Sequence, residues 1–445
     1  SQNWGFRINI TTTISSMSCA GDINADGIDD VIIGASLQSY FGRSECGIVY
    51  ILFGQNSTGL SFSNINILDW EDSTQKLGFR VFGTAAGDNL GVSVSAGVDI
   101  NADGVPDLAI GAYSTDPYGR NNAGTVNIIF GRSSGIWEDI DTASLSASQG
   151  YQIYSAVSGD RLGYAVALLS DMNGDGIGDV MAGAYGFDPP SRANAGLVTV
   201  IYGYSDAPTA TPTIVQSIAP TPVPSIIPTA LPSAGDRYID MSAWSTSLTI
   251  GFQVSGAVPG DQLGFLVGSA GDVNKDGYGD ILMSAIYTTP SGANSGTVYL
   301  LFGKLGGFPD VDTAELATFG GVDGIQIQGT NASLLGYVSY GIGDMNGDGF
   351  EDLILGAVNQ VASSPYRAST GMVAVLFGKR SGWVDIDMST FTAADDFGFR
   401  VMGNHADDYF GKSAAGAGDV NGDGYADIII GAPYADRPGR ADCGI

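Results

Sequence analysis

The sequence predicts an all-β fold, a β-propeller of four-stranded blades with six recognisable units. Three observations carry that expectation. An acidic nine-residue loop recurs six times, short apolar strands recur in step with it, and no stretch keeps a helical apolar period.

The loop reads Asp-x-Asn-x-Asp-Gly-x-x-Asp and starts at Asp22, Asp99, Asp171, Asp272, Asp344 and Asp419. Successive starts lie 77, 72, 101, 72 and 75 residues apart. The outlier contains a Pro/Thr-rich insert at about 207–234; without those 28 residues the 101 falls to 73. The repeats therefore run approximately over 5–77, 78–149, 150–250, 251–323, 324–397 and 398–445, the last incomplete.

Within a unit the elements follow a fixed order. An outer strand stands about 21 residues ahead of most loops, at 78–81, 150–153, 251–254, 324–327 and 398–401. Next comes a Leu/Phe-Gly run of small residues, as in 90–97, and then the acidic loop. An apolar strand ending in Gly-Ala follows, as in 108–112. A polar loop leads to a third strand, at 47–54, 124–131, 196–203, 296–303 and 371–378. These strands are rich in Val, Ile and Phe and punctuated by Gly. Runs such as Val31-Ile32-Ile33 are apolar on both faces, which suits a strand sandwiched between neighbouring sheets. Four-stranded sheets repeated around an axis make a propeller; a linear solenoid is the alternative.

Composition agrees and excludes several functions. The 66 glycines follow no collagen period and suit many short strands joined by turns. The 47 acidic against 18 basic residues leave a net charge of −29, a field that repels nucleic acid and anionic lipid. With 15% charged and 44% hydrophobic residues the chain is no disordered acidic tail. No apolar run reaches the roughly 18 residues of a membrane span, so direct membrane insertion is not expected. Cys19, Cys46 and Cys443 are too few for a disulfide framework and too scattered for a zinc site. Three sequons, at Asn9, Asn56 and Asn331, are glycosylation candidates. The first residues, Ser1-Gln2-Asn3, include no Met, which suits a mature or partial sequence.

The combination Phe410-Gly411, then 418–424 (GDVNGDG), then Gly431-Ala432-Pro433 resembles the FG-GAP repeat. That repeat builds the propeller of integrin α-subunits and of related secreted propellers. The resemblance covers nearly the whole chain apart from the insert. The first unit departs from the pattern: only 17 residues separate Gly5 from Asp22, and the Leu-Gly step is missing. An integrin propeller has seven blades, against six loops here.

Calcium takes six to eight oxygen ligands, and a nine-residue loop with oxygens at positions 1, 3, 5 and 9 can wrap one ion. The carbonyl of position 7 adds an oxygen, and Gly at position 6 permits the sharp turn. The candidate ligands are Asp22, Asn24, Asp26, Ile28 and Asp30 in the first loop, and Asp99, Asn101, Asp103, Val105 and Asp107 in the second. The third and fourth offer Asp171, Asn173, Asp175, Ile177 and Asp179, then Asp272, Asn274, Asp276, Tyr278 and Asp280. The last two offer Asp344, Asn346, Asp348, Phe350 and Asp352, then Asp419, Asn421, Asp423, Tyr425 and Asp427. The start resembles an EF-hand loop, yet Gly34, Gly111 and Gly183 stand at position 12 of the first three, where that loop needs Glu. Family resemblance implies calcium loops between the first and second strands of each blade. Asx turns without metal are the alternative reading, but crowded carboxylates repel unless a cation joins them. About six structural Ca2+ ions are expected, with Asn at position 3 holding affinities to the ~10⁻⁴–10⁻³ M of extracellular sites or somewhat tighter. Each repeat touches mainly its neighbours, so single ligand changes are expected to act locally.

Other features carry less. His405 is the one histidine, so a Ser-His-Asp or Cys-His site would have to use it, and it falls in an inter-strand turn. No catalytic residue and no organic cofactor are expected, and the chain reads as a non-enzyme. A second pattern recurs at Asp139-Ile140-Asp141, Asp310-Val311-Asp312 and Asp385-Ile386-Asp387. It suits turn chemistry around an apolar packing residue, with a cation-binding rim as the alternative. The loops after Gly-Ala carry Tyr118, Arg120, Phe187, Arg192, Tyr366, Arg367, Tyr434 and Arg437, gathered on one face as a recognition surface or as variable solvent loops. The insert is expected to be extended and suited to O-glycosylation, either a tether or a passive loop.

These features predict an extracellular or cell-surface glycoprotein, a calcium-stabilised propeller acting in adhesion, protein binding or assembly. The alternatives are a structural subunit of an extracellular filament or coat, and a glycan-binding propeller of a carbohydrate-active protein. The partner would be a protein or glycan at the loop face, or another copy of the chain. The last unit stops at Asp442-Cys443-Gly444-Ile445, where Glu45-Cys46-Gly47-Ile48 runs on into a third strand. The expectation is a polypeptide that continues, with a donated strand or an open blade as alternatives.

Overall fold

A computed structural model describes residues 8–9, 13–54, 65–66, 77–204, 238–244, 250–316, 321–363, 366–392, 396–436 and 444. Asn56, the insert at 207–234, Arg437, Cys443 and the side chains of Tyr366 and Arg367 lie outside the described residues. The chain forms two compact units, 1–158 with 202–250, and 159–201 with 251–445.

The first unit contains two five-stranded sheets. In one, Ser16–Gly21, Asp30–Ala35, Ile48–Leu52 and Gly78–Phe82 pair antiparallel in that order. A fifth strand, Ile140–Asp141, runs parallel along the outer one. The other sheet repeats the plan with Val94–Val98, Asp107–Ala112, Thr125–Ile129, Gly150–Tyr154 and a parallel Tyr238–Asp240. Ile32, Val49, Ile51, Phe79 and Val81 of the first sheet pack with Leu108, Ile110 and Ile129 of the second. The opposite face of the first sheet buries Ile33, Ile48 and Tyr50. Apolar side chains on both faces of one strand are thus both used, which is why these strands do not alternate in polarity.

The second unit contains three larger sheets and two hairpins, the smaller of them Ala362–Ser363 with Tyr366–Arg367. The five-stranded ones are Ala165–Leu169, Asp179–Ala184, Leu197–Ile201, Gly251–Ser255 and Val311–Asp312, then Leu263–Gly271, Asp280–Ala285, Thr297–Leu301, Gly324–Gln328 and Ile386–Asp387. The four-stranded sheet is Leu335–Gly343, Asp352–Ala357, Met372–Leu376 and Gly398–Met402, and the larger hairpin is Ser413–Gly418 with Asp427–Gly431. Leu282, Val298, Leu300 and Ile327 meet Leu353, Leu355 and Leu376 in the core between two of these sheets. Among the described residues the α-helix is confined to Thr313–Leu316. The molecule is all-β and built of propeller-type blades.

The outer strand that opens each unit in sequence closes the sheet of the unit before it. Gly78–Phe82 pairs with Ile48–Leu52, and Gly150–Tyr154 with Thr125–Ile129. Glycine is required where that strand begins. Gly78, Gly150, Gly251 and Gly398 have φ of +152°, +151°, +154° and +158°. A side chain at Gly78 would overlap the carbonyl oxygen of Ile51 on the neighbouring strand.

Candidate metal centres

Each acidic loop is the hairpin turn between the first and second strands of a sheet. Its turn is made by its own side chains. The carboxylate at position 1 accepts from the glycine N–H at position 6 in all six loops, at 2.7 Å from Gly27, Gly104 and Gly176, 2.9 Å from Gly277, and 2.8 Å from Gly349 and Gly424. It also accepts from the N–H of position 5, as Asp26 N–H to Asp22 Oδ1 at 2.8 Å. The position-5 carboxylate accepts from the N–H of position 7, as Tyr278 to Asp276 and Phe350 to Asp348 at 3.0 and 2.9 Å. The position-3 amide donates to the position-5 carboxylate in five loops, for example Asn274 Nδ2 to Asp276 Oδ2 at 2.9 Å. In the sixth the Asn421 amide instead lies 3.5 Å from Asp427 Oδ1. Positions 1, 3 and 5 are thereby drawn around one turn, with the position-5 carboxylate exposed.

Position 9 does something else. Asp30, Asp107, Asp179, Asp280 and Asp352 are buried at the head of the second strand. One oxygen accepts from the N–H of position 2: Ile23, Ile100, Met172, Val273, Met345 and, for Asp427, Val420. The other oxygen of Asp30, Asp107, Asp280 and Asp352 accepts from the glycine N–H that ends the third strand: Gly54, Gly131, Gly303 and Gly378, at 2.7–2.9 Å. One carboxylate therefore ties the loop to the strand two places away. Burial pushes the Asp30 carboxyl up to about 6 and those of Asp107 and Asp280 to about 8, against the pull of the two N–H donors. The carboxylates at positions 1 and 5 of the same loop add to the rise.

Among the described residues no three His, Cys, Asp or Glu side chains are gathered tightly enough to hold a metal ion. Positions 1, 3 and 5 are brought together, and position 9 is turned onto the backbone behind them. The donor chemistry nevertheless fits a hard cation. Each turn carries two carboxylates and an amide oxygen, all oxygen donors, with a third carboxylate near enough to be repelled. A divalent ion would relieve that repulsion. Asp22, Asn24 and Asp26, with their counterparts in the other loops, are the residues that would hold it.

The Asp-x-Asp pattern is the parallel edge strand. Asp139, Asp310 and Asp385 accept from the N–H of Arg80, Gln253 and Gln326 on the outer strand, at 2.8–2.9 Å. Ile140, Val311 and Ile386 between them are buried. Asp141 and Asp312, and Asp240 at the same place in Tyr238-Ile239-Asp240, each take an arginine from a loop between the second and third strands. Asp141 pairs with Arg43 at 2.7 Å, Asp240 with Arg120 at 2.6 Å and Asp312 with Arg192 at 2.5 Å. Arg120 and Arg192 also donate to the carbonyls of Ser155 and Gly256. These two arginines, expected on a recognition surface, are engaged within the fold. Separately visible in the sequence, the acids and arginines had nothing local to link them. Tyr118 stays 64% exposed against Tyr154 and Tyr238, and Tyr434 45% exposed against Tyr409. His405 is exposed beside Asp408, and Asn9 and Asn331 are exposed. Cys19 and Cys46 are free thiols. No described helix is long and apolar enough to cross a membrane.

Sheets of this plan, each turning through an acidic Asp/Asn/Gly hairpin, define a repeat protein of propeller-type blades. Five FG-GAP repeats are found in the chain, the repeat model matching residues 18–52, 90–128, 162–201, 266–301 and 410–442. The loop at Asp344 falls outside those segments, although its sheet has the same four antiparallel strands. The chain is 32% identical over 186 residues to phosphatidylinositol-glycan-specific phospholipase D of Bos taurus, covering 42% of this chain and 20% of that protein. It is 35% identical over 100 residues to integrin alpha pat-2 of Caenorhabditis briggsae, 22% of this chain and 7% of that one. With integrin alpha-E of Mus musculus it shares 32% identity over 179 residues, 39% and 14% of the two chains. The chain thus matches about one fifth of the length of the phospholipases.

The phospholipase similarity corrects the expectation of a non-enzyme. Relatives at 30–32% identity carry an enzyme's name, with the repeat-containing part aligned. The sequence argument rested on one histidine and on acids absorbed by the repeats. A repeat fold accounts for those residues without deciding the chemistry of the proteins that contain it.

Proposed function

We propose that this chain is an extracellular, calcium-stabilised propeller that serves as an adhesion or protein-binding module. The observation that carries the reading is the sixfold recurrence of one hydrogen-bonded turn with its oxygen side chains at positions 1, 3 and 5. Calcium bound there would join carboxylates that otherwise repel and would hold each hairpin to its sheet. The similarity to integrin α-subunits supports a protein partner at the loops that follow the second strands; Tyr118 is exposed on such a loop in the first unit and Tyr434 on one in the second. Exposed Asn9 and Asn331 are the glycan attachment sites this reading expects. Metal analysis of the purified protein after dialysis against 1 mM Ca2+ tests it. About six bound ions are expected; fewer than one per chain would overturn the calcium reading.

A second reading rests on the phospholipase similarity. In it the repeats belong to a protein that acts on phosphatidylinositol-glycan anchors, and the propeller presents that substrate. Release of a glycan-anchored reporter from membranes by the native protein would support it. Inactivity with tight binding to an integrin-type protein partner would favour the adhesion reading.

A further inference from the structure

The acidic loops of adjacent sheets in the second unit touch one another through the backbone. The carbonyl of Asp171, position 1 of the third loop, accepts from the N–H of Gly279, position 8 of the fourth, at 2.7 Å. The carbonyls of Met172 and Asn173 accept from Lys304 and Gly306 of the same neighbouring sheet, at 3.0 and 2.7 Å. The ring of Tyr278, position 7 of the fourth loop, lies on Gly174 of the third: a methyl group there would sit 2.6 Å from Tyr278 Cε1. The fifth and sixth loops repeat this arrangement. Asp344 accepts through its carbonyl from Ala426 N–H at 3.1 Å, and the Tyr425 ring lies on Gly347.

The first and second loops meet differently. Position 8 of the second is Pro106, which has no N–H to donate, and its ring packs on Gly21. Between the fourth and fifth loops position 8 is Glu351, whose carboxylate lies against Gly271 beside Asp272.

We propose that the third and fourth loops, and likewise the fifth and sixth, bind their ions as cooperative pairs. This rests on the calcium reading above. Position 7 supplies a carbonyl to its own ion, and positions 7 and 8 of that loop hold positions 1 and 4 of its neighbour. An ion that orders one turn therefore fixes the backbone carrying the first ligand of the other. Coupling of this kind is reciprocal, so each ion raises the affinity for its partner.

Asp276→Ala removes an exposed ligand of the fourth loop and none of the third. Native mass spectrometry across a Ca2+ titration is expected to show one ion lost and a second weakened at least about fivefold. Tyr278→Ala keeps the position-7 carbonyl. With the side-chain oxygens of Asp272, Asn274 and Asp276 untouched, it should retain the ion count while the steepness of terbium binding, read by luminescence, falls. Asp103→Ala in the second loop should remove one ion and leave the rest at wild-type affinity. Loss of a single ion in Asp276→Ala, with all others unchanged, would overturn the pairing while leaving the calcium sites standing. A wild-type protein that binds no ion would overturn the calcium reading itself, and the pairing with it.

Discussion

A carboxyl group sealed inside a sheet, as Asp280 is, needs a hydrogen-bond partner on each oxygen. Val273 and Gly303 supply those partners from two different strands. Asp280→Asn keeps one acceptor and turns an NH2 toward the other N–H. Urea unfolding should register a loss of about 1–3 kcal/mol, because one buried donor is left unsatisfied. Asp88 is a different case. It lies outside the acidic loops, buried beneath a turn, where its Oδ2 accepts from Ala85 N–H at 2.6 Å. Burial, aided by Asp116, pushes its carboxyl up to about 6, while the Ala85 and Thr84 N–H groups and Arg43 pull the other way. A folded value above the unfolded one means the folded state holds the proton more tightly. Stability contributed by this group is complete below about 3.8 and is lost as pH rises through about 6. Asp88→Asn, which stays neutral, should therefore gain stability relative to wild type between pH 5 and pH 7.5, by up to about 2 kcal/mol. Parallel thermal melts at the two pH values measure it; a difference that does not change with pH would refute the assignment.

At the scale of elements the sheets are held by devices that differ in how openly the sequence displays them. The strands and their hairpin loops were legible, because strands buried on both faces read as unbroken apolar runs and six turns share one spacing. The pairing was less so. Nothing local tells residues 78–82 to join the strand at 48–52 rather than to start a sheet of their own; the contact is made across a gap in sequence. The edge strand is harder still. Two residues, Ile140–Asp141, carry no period, and their hold on the outer strand depends on Asp139 and Arg43, the second far away along the chain. Position 9 of each loop has the spacing of a ligand, and its role as a tie to the third strand needs the fold to bring Gly303 or Gly131 to it. The arginine latches give a direct test. Arg120 holds Asp240 through two guanidinium nitrogens and reaches the Ser155 carbonyl, largely out of solvent. Arg120→Ala should cost about 1.5–3 kcal/mol, the range for hydrogen bonds to charged groups, and Arg120→Lys should recover little because the paired geometry is lost. Limited proteolysis should cut the loop at 113–123 sooner in both. Gly150→Ala probes the outer strand instead. At φ +151° and against the Ile128 carbonyl, the added methyl group strains the backbone wherever it points, and a loss of more than about 2 kcal/mol is expected.

The whole molecule carries a net charge of −29, and six divalent ions would offset twelve of those charges. On the calcium reading, an ion that binds the folded turn and not the unfolded chain would add RT ln(1 + [L]/Kd) per site to the stability of the unit that contains it. Above Kd this amounts to roughly 1.4 kcal/mol for every tenfold rise in calcium, per ion released on unfolding. The two compact units hold different numbers of loops. Those starting at Asp22 and Asp99 belong to the first, and those at Asp171, Asp272, Asp344 and Asp419 to the second. If the units unfold as separate steps, as chains of this size commonly do, the slope of stability against log calcium counts the ions in each. The second unit should therefore gain about twice as much stability per decade of calcium as the first. Scanning calorimetry at 0.1, 1 and 10 mM Ca2+, with a chelated control, measures both slopes on one sample. Magnesium at the same concentrations should shift neither unit as far, because the smaller ion demands near-octahedral geometry and sheds its water reluctantly. Transitions that do not move with calcium would exclude bound structural ions. Equal slopes would mean that the loops of the second unit do not all bind.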